Sequence, residues 1–148
     1  MQVKLLSEDK FVEVIPLEEF SIVYEGQATK GPWNDEPDAF KFSVGDYPCV
    51  GIRMFLGHWC GYVGSLNSEE QFAEPWNGFT FDQKCPPLSR MLNLPKDMFY
   101  WKGFDCAGGG DYIPAYVNQN SRENYKTLEF VVNELYYMVV NKKAAQNA

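Results

Sequence analysis

Five short runs of aromatic and β-branched residues follow one another between residues 40 and 106, and glycine or proline separates them. The runs read FKFSV, PCVGIRMFL, HWCGYVGS, GFTFD and MFYWKGFDC. This composition is typical of an antiparallel sheet built from short strands. Two earlier runs predict further strands: FVEVIP, an edge strand ended by Pro16, and FSIVYEG, closed by Gly26.

An amphipathic helix is expected near the carboxy-terminal end, from residue 120 to residue 143. Asn120 is the expected N-cap, and Glu123 reaches back to it. The sequence therefore predicts an α+β fold, in which an antiparallel sheet of about five or six short strands packs against one long C-terminal helix. The buried stripe of this helix repeats at steps of three and four residues, as one helical face requires, and consists of Tyr125, Leu128, Val132, Leu135 and Val139.

The length of 148 residues fits a single globular domain, residues 1–148. Residues 27–39 combine glycine and proline with polar residues and predict a long loop. Trp33 stands in this loop, so we expect its indole to lie back on the body of the protein. Residues 144–148 predict a frayed tail.

Acidic residues are concentrated in the first third of the chain. Residues 1–46 carry ten acidic residues and four lysines, and the whole chain has a formal net charge of −7. Such a surface repels polyanions and attracts basic partners, so we expect a basic protein surface as partner and no direct nucleic-acid binding. No run approaches the roughly 20 apolar residues of a membrane span, and no apolar signal core opens the sequence, which predicts a cytoplasmic protein without a membrane partner.

Cysteine and histidine spacing limits the chemistry. The four cysteines are scattered, no C-x-x-C pair occurs and His58 is the only histidine, so no metal site is predicted, and no cofactor either. One catalytic arrangement stays open, with Cys60 as nucleophile and His58 as base, because residues two apart on a strand point to the same side. No third residue that would orient this pair can be named, which favours ordinary packing.

A ligand site is predicted in the second half of the chain. Asn77 and Gly78 form an Asn-Gly pair, which favours a tight turn between strands. Trp76 directly before this turn can present its indole to a flat ligand. In WKGFDCAGGGDYIP three glycines allow a sharp turn, and the two aspartates are expected to accept hydrogen bonds from backbone amides across it. We predict that six side chains converge on one hollow beneath the final helix and bind a small aromatic or nucleotide-like ligand: Trp59, Trp76, Asn77, Trp101, Asp105 and Asp111.

The order of these motifs resembles that of a family of small, uncharacterised proteins found in phages and in bacterial genomes. The likeness extends from about Val50 to Met138 and rests on GHWCGYVG, GFTF, WKGFDCAGGGDYIP and YKTLEFVVNELYYM. The resemblance implies histidines where this chain has Trp76 and Gly108. Their replacement here argues against catalysis.

These observations together predict a binding protein without catalytic turnover. The resemblance suggests that a phage encodes it for counter-defence in the host cytoplasm, as an inhibitor of a basic host protein or as a protein that sequesters a small ligand. Two alternatives stay open: a small hydrolase or transferase in which His58 acts with Cys60 or Asp111, and an accessory structural protein of a virion. Self-association through the final helix is a further expectation, because Phe130, Tyr137 and Val140 extend its apolar surface.

Overall fold

The computed structural model describes residues 2–4, 11–15, 31–54, 56–95, 98–108, 111–114 and 124–143. Within these ranges the chain forms seven β-strands and two α-helices, together with a 3-10 helix at Pro32–Asp35. The strands and α-helices are, in chain order, β1 (Gln2–Lys4), β2 (Phe11–Val14), β3 (Ala39–Val44), β4 (Tyr47–Arg53), β5 (Trp59–Ser65), β6 (Phe81–Lys84), α1 (Pro86–Met91), β7 (Tyr100–Asp105) and α2 (Leu128–Val140).

The described strands form one sheet in the order β1-β2-β3-β4-β5-β7-β6, and every neighbouring pair is antiparallel. The α+β class with an antiparallel sheet is therefore confirmed, with seven strands in the described residues where five or six were predicted. The expectation of an edge strand at FVEV is wrong, because β2 pairs with β1 on one side and β3 on the other. β7 lies between β5 and β6, so the Asn77–Gly78 turn belongs to a longer connection and not to a two-strand hairpin.

The final helix is shorter than predicted and begins later. α2 has 13 residues, and its N-cap is Thr127, whose side chain accepts a hydrogen bond from the amide of Phe130 at 3.2 Å. Tyr125 lies before the helix and is buried in the core. The predicted cap at Asn120 and its partner Glu123 fall outside the described residues.

The sheet buries apolar side chains on both of its faces. α2 covers one face, where Gly61 of β5 allows close approach: a Cβ atom there would meet the ring of Phe104 at 2.7 Å and Val131 Cγ1 at 3.1 Å. α1 covers part of the other face, where Leu88 packs with Trp101 of β7. The sheet therefore has an α2 face and an α1 face, and residues that alternate along a strand belong to different cores.

The described part of the predicted loop carries the 3-10 helix, and Trp33 within it is buried. Its ring lies 5.2 Å from that of Tyr112 and 4.9 Å from that of Tyr125, centroid to centroid, which confirms that the indole lies back on the protein. FSIVYEG, residues 27–30 and the tail 144–148 are outside the described residues. Among the helices that are described, none has the length and apolar character needed to cross a membrane.

Candidate functional site

The topology gathers most of the polar side chains that could bind a ligand or take part in catalysis at one end of the sheet, here called the polar end. β4 and β7 finish there, at Arg53 and Asp105, and β5 begins there immediately after His58. The segment that contains Glu36 reaches the same end, since the amide of Arg53 donates to the carbonyl of Asp38 at 2.8 Å. The polar end also receives the segment that leads into α2.

The six predicted ligand residues do not form one hollow. Trp59 and Trp101 are both fully buried, and the strand register places them on opposite faces of the sheet. The Trp101 indole donates to Ser89 Oγ at 3.2 Å in the α1-face core, whereas Trp59 packs in the core beneath α2. The two tryptophans therefore belong to different cores, on opposite faces of the sheet.

Trp76 and Asn77, in contrast, lie together at the polar end. Asn77 Nδ2 donates to the backbone carbonyl of Asp105 at 3.0 Å. Trp76 is 41% exposed, and its ring meets the rings of Phe104 and Phe130 edge to face, with centroid distances of 5.1 and 4.8 Å. The amide of Trp76 donates to Glu134 Oε1 at 2.9 Å, which fixes the turn to the side of α2.

The two predicted aspartates hold the turn that follows β7. Asp105 Oδ1 accepts from the amide of Ala107 at 3.1 Å, and Asp111 Oδ2 accepts from the amide of Gly108 at 3.0 Å. These bonds confirm the prediction that the carboxylates pair with backbone amides in this turn. Lys126, which the sequence did not single out, lies 3.3 Å from Asp111 Oδ1.

His58 and Cys60 are held in a setting that does not activate a nucleophile. His58 is only 8% exposed, and its Nδ1 has no hydrogen-bond partner in the described part of the chain. Burial lowers the pKa of His58, against the opposing effect of Asp105 and Asp111. Burial, with a further contribution from Asp105, raises the pKa of the Cys60 thiol to about 12. A reactive cysteine requires a lowered pKa, because the thiolate is the nucleophile.

The other thiols of the core are similar in character. Burial raises the pKa of Cys49 and of Cys106 well above the ordinary range, and all four cysteines are free. No group of three or more histidine, cysteine, aspartate or glutamate side chains in the described residues is arranged to hold a metal ion.

A second polar cluster at this end was not predicted. Arg53 is fully buried on β4, and its Nη2 lies 3.2 Å from Glu36 Oε1. The same oxygen accepts from Trp59 Nε1 at 3.2 Å and from the hydroxyl of Tyr125, while Glu36 Oε2 accepts from the amide of Leu128 at 2.7 Å. We call these four donors (Arg53, Trp59, Tyr125 and the Leu128 amide) the Glu36 cradle. The sequence signal for it was a single arginine in the otherwise apolar run PCVGIRMFL.

A second carboxylate lies beside the same arginine. Asp38 Oδ1 lies 3.2 Å from Arg53 Nε, and the carbonyl of Pro37 accepts from Nη2 at 3.3 Å. The guanidinium also stands over the Trp59 ring, 5.0 Å from its centroid. Burial raises the pKa of Asp38, and the positive charge of Arg53 acts in the opposite direction. A buried arginine thus fixes residues 36–38, called the acidic segment below, to the sheet.

A separate cleft of about 260 Å³ opens away from the polar end. Its walls combine the charged pair of Lys41 and Glu13, 3.9 Å apart, with the apolar side chains of Leu92 and Leu94. None of the side chains predicted to bind a ligand lines it.

Comparison with models of protein families, with curated proteins and with solved structures finds no match for this chain. The resemblance to a phage and bacterial family therefore stays a prediction, and the function is argued from the geometry of the chain itself.

Proposed function

We propose that this chain is a binding protein without catalytic turnover, and that it captures a basic protein surface on a strip of exposed and half-buried aromatic and apolar side chains beside α2. The strip consists of Trp76, Phe130, Tyr137 and Val140 and is called the aromatic strip below. The observation that carries the proposal is the state of Trp76, a large apolar side chain that is 41% exposed and yet held in place.

Trp76 is positioned before any partner arrives. Two edge-to-face contacts, with Phe104 and Phe130, hold its ring, and the bond from its amide to Glu134 holds its backbone. Tryptophan is enriched among the few residues that carry most of the binding energy at protein interfaces. A side chain that is already ordered loses little conformational entropy on binding, which favours affinity.

The helix continues the apolar surface that Trp76 begins. Phe130 and Tyr137 are seven residues apart and therefore lie on the same side of α2, and Val140 follows Tyr137 by three. Tyr137 and Val140 are exposed and Phe130 is half-buried. The result is a strip along a convex helix, a shape that suits a protein partner better than an enclosed small molecule.

Three glutamates accompany the aromatic strip: Glu134 by contact, and Glu74 and Glu129 by their places in the chain next to Trp76 and Phe130. Glu74 and Glu129 are exposed, and Glu134 lies beside Trp76. Lys126 lies 6.0 Å from the Trp76 ring centroid and is paired with Asp111, and of the two lysines that follow Val140, Lys142 is paired with Glu70. Together with the net charge of −7, this arrangement favours a partner with lysine or arginine around an apolar centre, and it accelerates their encounter.

The resemblance to phage-borne proteins supports a more specific proposal, in which the partner is a host protein and the chain acts in counter-defence. Sequestration of a small flat ligand is the second candidate, because the Asn77 amide and the Trp76 indole lie side by side. A hydrolase or transferase centred on His58 is the weaker candidate, since burial raises the pKa of Cys60 to about 12. Self-association and a virion role would use the same strip.

The test compares Trp76→Ala with Leu66→Ala. Leu66 is also a large apolar residue, 61% exposed, and it follows the end of β5 that lies away from the polar end. Each tagged protein is incubated with an extract of the source cells, and the basic proteins retained are quantified by mass spectrometry. We expect Trp76→Ala to retain at least about tenfold less of the principal partner, as loss of a hot-spot side chain predicts. Leu66→Ala should retain as much as the wild type.

Three other outcomes separate the alternatives. Equal retention by both variants would contradict the proposal. A rise in the wild-type Tm of several degrees with a nucleotide-like compound, absent in Trp76→Ala, would instead establish the small-ligand candidate. A stable oligomer in sedimentation that Tyr137→Ala dissociates would show that a second copy occupies the strip.

A further inference from the structure

The carboxylate of Glu36 is bound as a ligand would be, by donors from separate parts of the chain. Arg53 comes from β4, Trp59 from β5, Tyr125 from the segment before α2, and the Leu128 amide from the first turn of the helix. A guanidinium, an indole N–H, a hydroxyl and a backbone amide thus converge on the two oxygen atoms of one carboxylate. The Leu128 amide also places the negative charge at the positive end of the α2 dipole.

Most of the donors have supports that do not depend on Glu36. Arg53 is fully buried, forms an ion pair with Asp38, donates to the Pro37 carbonyl and stands over the Trp59 ring. Trp59 belongs to β5, which pairs with β4 at this position. The Leu128 amide is fixed by the helix that Thr127 caps. The cradle is therefore built by the fold and should persist when the Glu36 side chain is removed.

We propose that these four donors form a carboxylate-binding site, which the chain fills with its own Glu36, and that a small aliphatic carboxylate from solution binds there when the Glu36 side chain is absent. The class of ligand follows from the donor set, because a guanidinium and three further hydrogen-bond donors match the two oxygens of a carboxylate. In the native chain, occupancy joins the acidic segment to the start of α2, 92 residues later. This proposal does not rest on the proposed function.

The variant that opens the site is Glu36→Ala, because the atoms removed beyond Cβ correspond to one acetate ion. We expect the variant to melt below the wild type in sodium chloride, and to regain stability saturably as sodium acetate replaces chloride at constant ionic strength. At ten times the dissociation constant of acetate, the linkage of binding to folding predicts a gain of about 3–5 °C in Tm. Glu36→Gln keeps the side chain in place and should gain nothing, as should the wild type.

A second measurement reports on the site directly. In Glu36→Ala, acetate should shift the Nε1–H resonance of Trp59, whose indole faces the site, and leave that of Trp101 unchanged, because the Trp101 indole bonds Ser89 in the other core. If Glu36→Ala is unfolded in chloride, the titration is followed as recovery of far-ultraviolet circular dichroism.

Three results would overturn the proposal: equal stabilisation of all three proteins by acetate, no movement of the Trp59 resonance, or no recovery of structure in an unfolded variant. The first would mean a general salt effect. Either of the others would mean that the donors do not form a receptor without Glu36.

Discussion

The Glu36 cradle and the group around His58 lie at the same end of the sheet, but their polar atoms are satisfied to different degrees. In the cradle, both oxygens of Glu36 accept hydrogen bonds and the buried Arg53 faces two carboxylates. His58, in contrast, buries an Nδ1 that has no partner within the described residues. Asp105 and Asp111 influence its charge but hold turn amides, not the imidazole.

This difference separates two uses of buried polar groups. A network of oppositely charged and hydrogen-bonded groups specifies one arrangement of the segments that supply them, and the fold loses much stability when a member is removed. A buried imidazole without a partner contributes little by its polar atoms and is most stable uncharged. Large effects of mutation are therefore expected in the cradle, and small, pH-dependent effects at His58.

The largest effect is expected from Arg53→Ala. The variant removes the fully buried cation and leaves the partly buried Glu36 and Asp38 without it, and loss of one partner of a buried ion pair costs about 3–5 kcal/mol of unfolding free energy. The corresponding fall in Tm is about 6–20 °C for a chain of this length. Thermal unfolding followed by circular dichroism measures it.

Arg90→Ala is the matched control, because Arg90 is exposed on α1. A surface arginine should change the unfolding free energy by less than about 0.5 kcal/mol. If the two alanine variants melt at the same temperature, the cradle does not stabilise the fold as argued.

An intermediate effect is expected from Tyr125→Phe. It removes the hydroxyl that donates to Glu36 and leaves the aromatic contact with Trp33 in place. Loss of one hydrogen bond to a charged group predicts a decrease of about 1.5–3 kcal/mol in chemical denaturation. Tyr137→Phe, at an exposed position of α2, should change little. An equal effect of the two variants would show that the Tyr125 hydroxyl has no special role.

The sheet could be predicted from sequence because its signals are local. Aromatic and β-branched runs between glycine and proline gave β3, β4, β5 and β7 within a few residues, and the apolar stripe gave the buried face of α2. The start of α2 was missed because a distant contact sets it. Tyr125 fits the helical stripe, but its hydroxyl donates a hydrogen bond to Glu36, 89 residues earlier, and the helix begins only after Thr127.

The site was predictable only in part, because strand register decides which side chains meet. Trp101 pairs with Gly64 across β5, and Gly64 and Trp59 alternate to opposite faces, so the two indoles separate. A single sequence does not show this register. The Asn77 side chain does meet β7, but at the backbone carbonyl of Asp105 and not at its carboxylate. The cradle was missed because its donors come from four segments that only the fold brings together.

The smallest effect is expected at His58, and it depends on pH. Because burial lowers the pKa of His58 in the folded state, the unfolded chain takes up a proton first as the pH falls through about 6.5. The stability is thus fully present above that pH and is lost as the pH falls toward the folded-state pKa. Asp38 acts with the opposite sign, because its raised pKa makes the folded state take up the proton first, at more acidic pH.

Urea unfolding at pH 7.5, 6.5 and 5.5 isolates the contribution of the imidazole when the wild type is compared with His58→Phe, which keeps a ring of similar size and cannot titrate. We expect the wild type to lose stability over this range and the variant to lose less. Parallel curves would mean that His58 is protonated as easily in the folded chain as in the unfolded one. In that case Asp105 and Asp111 would offset the cost of burial, and His58 would belong to a paired network like that of Glu36.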